Sequence, residues 1–243
     1  MRERVVNGYA GRGLHGQVVN ELGTRIVSGR LGPEDSIDLG QLEAELDVSR
    51  TVLREALKVL AAKGLVDARQ KRGTFVRPRA DWHLLDADVL RWQLSGQPTG
   101  ELLSQLAEVR SIVEPAGARL AAVRRDPEDL AALSEALEAM AASDPASAAA
   151  VEADLRFHRA LLTASHNELL IRMEAMIEVG LAARDALVHT GHGGSVQDPV
   201  PAHRAVFEAM RDGDPDAAER AMRALLDQAV RDAELVRRSK GTT

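Results

Sequence analysis

The stretch Val48-Ser49-Arg50-Thr51-Val52-Leu53-Arg54-Glu55-Ala56-Leu57 decides the fold of the first third of this chain. Ser49 followed by helix formers reads as an N-cap, its hydroxyl available to accept a backbone N–H that the first turn leaves unpaired. Behind it Val52, Leu53, Ala56, Leu57 and Leu60 recur at helical spacing and form one apolar stripe. Arg50, Thr51 and Arg54 fall off that stripe, on the exposed first turns. Upstream, Leu42, Leu46 and Val48 fit a shorter helix closed by a tight Asp47-Val48-Ser49 turn. Downstream, Gly64 ends the helix, and Leu65-Val66-Asp67-Ala68 and Gly73-Thr74-Phe75-Val76 read as two short strands. The link between them, Arg69-Gln70-Lys71-Arg72, is basic. Helix, tight turn, arginine-bearing second helix and basic hairpin make a winged helix-turn-helix. Arg50 and Arg54 are then expected at guanine edges or phosphates, with Ser49 and Thr51 near the DNA backbone. Arg69, Lys71, Arg72 and Gly73 form a wing expected to touch phosphate or the minor groove. An ordinary helical hairpin with a solvated basic face is the plain alternative, and it leaves the agreement of cap, turn, periodicity and wing unexplained.

Charge supports the same division of labour. The net charge is −6, yet residues 1–80 hold 14 Lys/Arg against 10 Asp/Glu, and residues 81–243 hold 17 against 27. A basic head on an acidic body can approach phosphate while the body stays off it. At 243 residues there is room for two modest domains. The absence of cysteine excludes disulfides and thiolate metal sites and suits a reducing cytoplasm. No apolar run approaches the ~18 residues of a membrane span, and Met1-Arg2-Glu3-Arg4 does not open a signal peptide. Scarce aromatics and abundant Ala, Leu, Glu and Arg favour helices.

In order, residues 1–13 read as a flexible leader, residues 14–77 as the winged head, and residues 78–81 as a short linker. Residues 82–240 read as an all-helical second domain, so the fold class is mostly α. Trp82 to Trp92 forms its first piece, and a long helix follows from Glu101 to Arg125. Leu102, Leu106, Val109, Val113, Ala116 and Leu120 are expected to face inward on it, with a kink at Pro115. Asp126-Pro127, Asn167, Pro199 or Pro201 and Asp214-Pro215 open the next helices, and Asp144-Pro145 breaks the chain before one expected from about Ala146 to Ser165. One helix is expected from Asn167 to His189, then a glycine-rich loop from Thr190 to Asp198. An antiparallel bundle of six or seven helices fits.

Asp154 and His158 are four residues apart on one expected helix and share a face. His203 opens a later helix and could reach them across a bundle. One carboxylate and two imidazoles can fill three positions of a metal and leave others open. A solvated pair with an unrelated histidine is the alternative on spacing alone.

The quoted head residues resemble the DNA-binding domain of GntR-family bacterial transcription regulators. That family usually opens the second helix with a Pro-Ser-Glu-Arg-like stretch whose arginine touches DNA; Asp38-Leu39-Gly40 stand there instead. Arg110-Ser111-Ile112-Val113-Glu114-Pro115, Asp154-Leu155-Arg156-Phe157-His158, Asn167, His203-Arg204-Ala205-Val206 and Asp212-Gly213-Asp214 are similar to the ligand-binding (FCD) domain of the FadR subfamily. The resemblance implies a divalent metal, Zn, Ni or Mn, on Asp154, His158 and His203, with Leu225 where a fourth, histidine ligand would stand. His189 and His192 are conceivable substitutes. It further implies that Arg110 helps hold a carboxylate effector, with Asn167 also at that site. The stretches from Ala80 to Trp92 and from Glu108 to Ala116 narrow the likeness to sugar-acid-responsive members, which implies an effector such as galactonate. The whole describes a homodimeric, cytoplasmic DNA-binding repressor that a small carboxylate releases from a palindromic operator. Two other classes stay open: a constitutive dimeric DNA-binding protein without effector, and a metal-dependent enzyme. For the enzyme no further pattern supplies a nucleophile or general base.

Overall fold

The computed structural model describes residues 13–95, 100–145, 147–189 and 198–240, with only the helical backbone given for 182–189 and 233–240. The chain divides into two compact units, one ending at Pro98 and the other starting at Thr99. Residues 1–12 of the leader and 190–197 of the glycine-rich loop, His192 included, and the side chain of His189 lie outside the described residues.

The first unit is the winged helix-turn-helix. Helix α1 (Leu14–Val27) buries Val18, Val19, Leu22 and Ile26. Asp38 caps α2 (Leu39–Leu46), its carboxylate accepting the N–H groups of Gly40 and Gln41. The Asp38-Leu39-Gly40 segment thus starts the helix with a carboxylate cap. Asp47, in the left-handed region at φ 50°, turns the chain into α3 (Arg50–Ala62). Ser49 caps α3 as expected, accepting the Val52 N–H at 3.4 Å, and Leu53, Ala56, Leu57 and Leu60 are buried. Strands β2 (Val66–Arg69) and β3 (Gly73–Val76) pair antiparallel, with Val66 opposite Val76. A third strand, β1 (Ser36–Ile37), adds to the other edge of β3. Two residues are too few for a period to register, which is why the sequence does not announce β1.

One expectation changes. Residues from Trp82 to Ser95 cluster with the first unit, not with the bundle. After a 3-10 turn (Arg79–Asp81), helix α4 (Ala87–Ser95) packs on α1. The Trp82 indole N–H donates to the Arg77 carbonyl at 3.0 Å, and that of Trp92 to Asn20 Oδ1 at 3.0 Å. The Trp92 ring lies so close to Gly23 that a Cβ there would meet it at 2.6 Å. Lys63, at the end of α3, places its ammonium 2.8 Å from Asp86 and 2.7 Å from Asp88. Its carbonyl accepts the His83 N–H at 3.0 Å. Pro78 to Asp81 is therefore part of the head's packing. Periodicity could not reveal this, because an amphipathic helix shows that it has an apolar face and not which core receives it.

Gly64 makes that packing possible. It sits at φ 76°, and a Cβ on it would lie 2.4 Å from the Asp81 carbonyl oxygen. Gly64→Ala should cost the left-handed backbone term of about 1–2 kcal/mol plus a clash with backbone that cannot swing aside. Gly29→Ala is the control: φ is 78° there, but nothing lies within 4 Å of the added carbon. Denaturant unfolding should show Gly64→Ala the more damaging; equal losses would mean that the segment does not press on α3.

The second unit is a helical bundle: α5 (Gly100–Arg124), α6 (Pro127–Ala141), α7 (Ala148–Ala164), α8 (Glu168–Ile171), α9 (Glu174–His189), α10 (Val200–Asp212) and α11 (Pro215–Lys240). Helix α7 is central, with α5, α6 and α9 packed around it, and Phe157, Leu161 and Leu162 on it are fully buried. Leu133, Met210 and Met222 close the core from neighbouring helices. The helix expected from Asn167 to His189 is two: Asn167 caps the one-turn α8, and α9 starts afresh at Glu174. Helix α5 runs through Pro115 and buries a different stripe from the one expected. Leu106, Arg110, Glu114, Gly117, Ala118 and Ala121 face in, while Ala116 is exposed and Val109 and Val113 are half-buried. An apolar count assigns Arg110 and Glu114 to the surface, yet the bundle encloses them as a pair. Among the described residues no helix is long and apolar enough to cross a membrane.

Candidate functional site

Three helices bring the bundle's polar residues together. Asp154 and His158 lie one turn apart on α7, and His203 lies in the first turn of α10. Arg110 and Glu114, also one turn apart, come from α5. His158, His203 and Glu114 are each no more than 1% exposed. One ligand atom from each of Asp154, His158 and His203 falls within 4.8 Å of the others. His203 Nε2 is 2.8 Å from Asp154 Oδ1, and His158 Nε2 is 3.4 Å from the same oxygen.

The opposite edges of the rings are also engaged. His203 Nδ1 is 2.8 Å from the Pro199 carbonyl, which can only accept, so Nδ1 carries the hydrogen and Nε2 keeps its lone pair when the ring is neutral. His158 Nδ1 is 2.5 Å from Glu114 Oε2. That contact and both Nε2 contacts lie off the hydrogen-bond axis, so the rings meet carboxylates at ion-pair distance without being locked to them. Phe157 packs edge-on against both imidazoles, with centroid separations of 6.0 and 5.0 Å. Glu114 also takes the Arg110 Nε–H on Oε1, with Arg110 Nη2 at 3.5 Å from Oε2.

Electrostatics ties these groups into one unit. Burial opposes the charge on Glu114, but Arg110 and His158 outweigh it and hold the carboxyl at about 2. Burial likewise opposes charge on His158; Glu114 and Asp154 outweigh it and push the imidazole up to about 9. Asp154 is held well below the carboxylate range, again against burial, by His158 and His203. Without a metal, then, His158 carries a proton between two carboxylates. A divalent ion bound to the Nε2 atoms and Asp154 would take the place of that proton. The donors fit: two imidazole nitrogens and one carboxylate oxygen suit Zn, Ni or Mn, and their spacing is one that bonds of about 2.0–2.2 Å can bridge.

The other residues singled out by sequence fall in several places. Leu225, which the family resemblance sets at a fourth-ligand position, is buried in the apolar core. Asn167 lies beyond the end of α7, and its side-chain oxygen accepts the N–H groups of Leu169 and Leu170 as the cap of α8. It is not brought to the cluster. Arg110 is brought there, but one edge of its guanidinium already faces Glu114. Glu114 is the residue that sequence reasoning missed. Its signal was the i,i+4 spacing from Arg110, which also puts the two on one face. A second carboxylate–histidine group, Asp126, Asp129 and His166, fastens two helix ends. Asp126 and Asp129 cap α6 reciprocally, and His166 reaches Asp129 at 2.7 Å.

On the head, Arg50, Thr51 and Arg54 are exposed along α3, and Arg50 comes no closer than 4.0 Å to Glu43. Arg69, Lys71, Arg72 and Gly73 are exposed on the wing, with Lys71 at its tip at φ 71°. Arg69 and Arg72 both lie over the Phe75 ring, Arg72 the closer. Arg72 pairs with Glu34, and its guanidinium lies 3.9 Å from the centroid of the Phe75 ring. It thus braces the wing across its surface as well as adding charge.

Comparison with known proteins places both units. Residues 14–76 match the family described as bacterial regulatory proteins, gntR family, and residues 105–228 match the FCD domain. The chain is 36% identical over 216 residues to the galactonate operon transcriptional repressor of Escherichia coli (strain K12), covering 88% of this chain and 94% of that protein. It is 33% identical over 209 residues to the HTH-type transcriptional regulator LutR of Bacillus subtilis (strain 168), covering 83% of this chain and 92% of LutR. Of solved structures, that of Lar, described as controlling the Listeria monocytogenes agr system, covers 93% of this chain and 99% of its own. Its TM-score is 0.61 at 19% identity, a likeness of fold.

Proposed function

The chain belongs to the gntR family of bacterial regulatory proteins and carries an FCD domain, and from that premise we propose a homodimeric repressor that a sugar acid such as galactonate releases from a palindromic operator. That it is a transcription regulator and not an enzyme follows from the family itself. The finer reading rests on one arrangement: a buried arginine beside a carboxylate and two histidines whose Nε2 atoms converge, inside the bundle of a chain that also carries a DNA-reading head. The 36% identity to a galactonate operon repressor points to the same effector class. In this reading Asp154, His158 and His203 hold a divalent ion, which offers open positions to hydroxyl and carboxylate oxygens. Arg110 supplies the matching positive charge, and the head reads DNA through Arg50 and Arg54, with the wing on phosphate.

Release requires that the effector bind two arrangements of the dimer unequally; about 1.4 kcal/mol of difference gives a tenfold loss of DNA affinity. The test is fluorescence anisotropy on a DNA site selected from a random pool, titrated with galactonate, gluconate, glucuronate and lactate. A sugar acid should weaken binding about tenfold or more and raise the melting temperature. If no acid of the panel moves either quantity, the effector reading is wrong.

A further inference from the structure

We propose that Glu114 is a positioning residue that sets the orientation of His158 and thereby the affinity of the metal site. The inference rests on the metal reading of Asp154, His158 and His203 given above. Three observations carry it. Glu114 is fully buried. Its Oε2 lies 2.5 Å from His158 Nδ1, on the edge of the ring away from Asp154. Its Oε1 takes the Nε–H of Arg110 from the same helix face, so the carboxylate cannot rotate away from the ring without giving up that partner.

A histidine ligand can present Nε2 in two ring flips and two tautomers, and only one combination puts a lone pair on the metal. A carboxylate beside Nδ1 biases that choice: its charge favours the hydrogen on Nδ1 and leaves Nε2 as the donor. For His203 the Pro199 carbonyl does the same work at 2.8 Å. The two ligands therefore have unlike supports, a backbone carbonyl for His203 and an ionised side chain for His158. The second support can be removed by substitution. It matters because, among the described residues, the cluster offers three donors and each carries a large share of the hold on the ion. Arg110 belongs to the same device: by fixing Glu114 it steadies His158 from two residues away.

The test uses the full-length protein stripped with chelator, then titrated with zinc against a fluorescent competitor. The parent is compared with Glu114→Gln, Glu114→Ala and Asp154→Ala. Loss of such a supporting group typically lowers metal affinity about 10–100-fold. Glu114→Ala should fall in that range. Glu114→Gln, whose amide oxygen can still accept from Nδ1, should retain most of the affinity. Nitrogen-15 spectra of histidine-labelled, zinc-loaded protein supply the readout that a merely structural role would not move. The His158 signals should report hydrogen on Nδ1 in the parent and in Glu114→Gln. A mixed or reversed pattern is expected in Glu114→Ala. Should Glu114→Ala fail to fold, Glu114→Leu combined with Arg110→Met, which removes both charges together, replaces it. Folded variants that bind zinc as tightly as the parent, with unchanged His158 signals, would overturn the role of Glu114 and leave the metal site standing. A parent that binds no zinc, nickel or manganese, and is matched in this by Asp154→Ala, overturns both.

Discussion

An Arg50→Ala or Arg54→Ala protein is expected to lose nearly all specific DNA binding while folding, and responding to its effector, like the parent. The local structure explains why the loss should be so selective. Ser49 caps α3, and Leu53, Ala56, Leu57 and Leu60 anchor it from the opposite face, so neither arginine is needed to hold the helix. Both are exposed, and the nearest carboxylate to Arg50 is Glu43 at 4.0 Å, too distant and too solvated to compete with a guanine edge. A bidentate arginine–guanine contact carries about 1–3 kcal/mol of discrimination. In a two-fold complex the substitution removes it from both half-sites, so the loss should start near 30-fold and extend beyond 1,000-fold. Lys58→Ala is the control. Lys58 sits on the same helix, pairs with Glu55 at 2.7 Å, and should change affinity by much less. Gel shifts against competitor DNA decide it: unchanged binding by both arginine variants would mean that α3 is not the reading helix.

Arg110→Ala is expected to do two separable kinds of damage. It leaves Glu114, fully buried, with His158 as its remaining cation. Breaking a buried ion pair from one side costs about 3–5 kcal/mol, and the imidazolium that remains puts this case at the lower end. A bundle of this size should then melt roughly 6–12 °C lower. The second effect is loss of the sugar-acid response, with DNA binding kept. Calorimetry on a double variant separates them. Adding Glu114→Gln to Arg110→Gln removes both charges and should recover most of the melting temperature. The effector response should stay lost, because no guanidinium remains to meet the carboxylate. A single variant that melts like the parent would show that Arg110 and Glu114 are not the pair described. One that binds galactonate or a related acid as tightly as the parent would remove Arg110 from the effector site.

How much of this could be read before folding differs between the two units. In the head, cap, stripe, turn and wing are local devices, each written within about ten residues, and Ser49, Leu53, Leu57 and Gly64 stand in the roles that their types imply. The helical body and several of its helix starts were legible for the same reason, since Asp126 caps α6 where the Asp126-Pro127 pair marked a start, whereas the Ser147 cap of α7 was not read. The spacing of Asp154 and His158 placed them on one face, and the family resemblance nominated His203 as their partner. What the sequence could not decide was which face of each element meets which neighbour. An apolar count placed Val109 and Val113 inside α5, whereas the bundle encloses Arg110 and Glu114, which pair on one face of α5 with His158 of α7 against Glu114. The same limit hid the destination of Trp82 and Trp92: each needs a core and an acceptor for its N–H, and these come from Arg77 and Asn20 of the head. Hydrophobic periodicity and capping are properties of a segment and survive in the sequence, but the pairing of Glu114 with His158 joins residues 44 positions apart and exists only once α5 packs against α7.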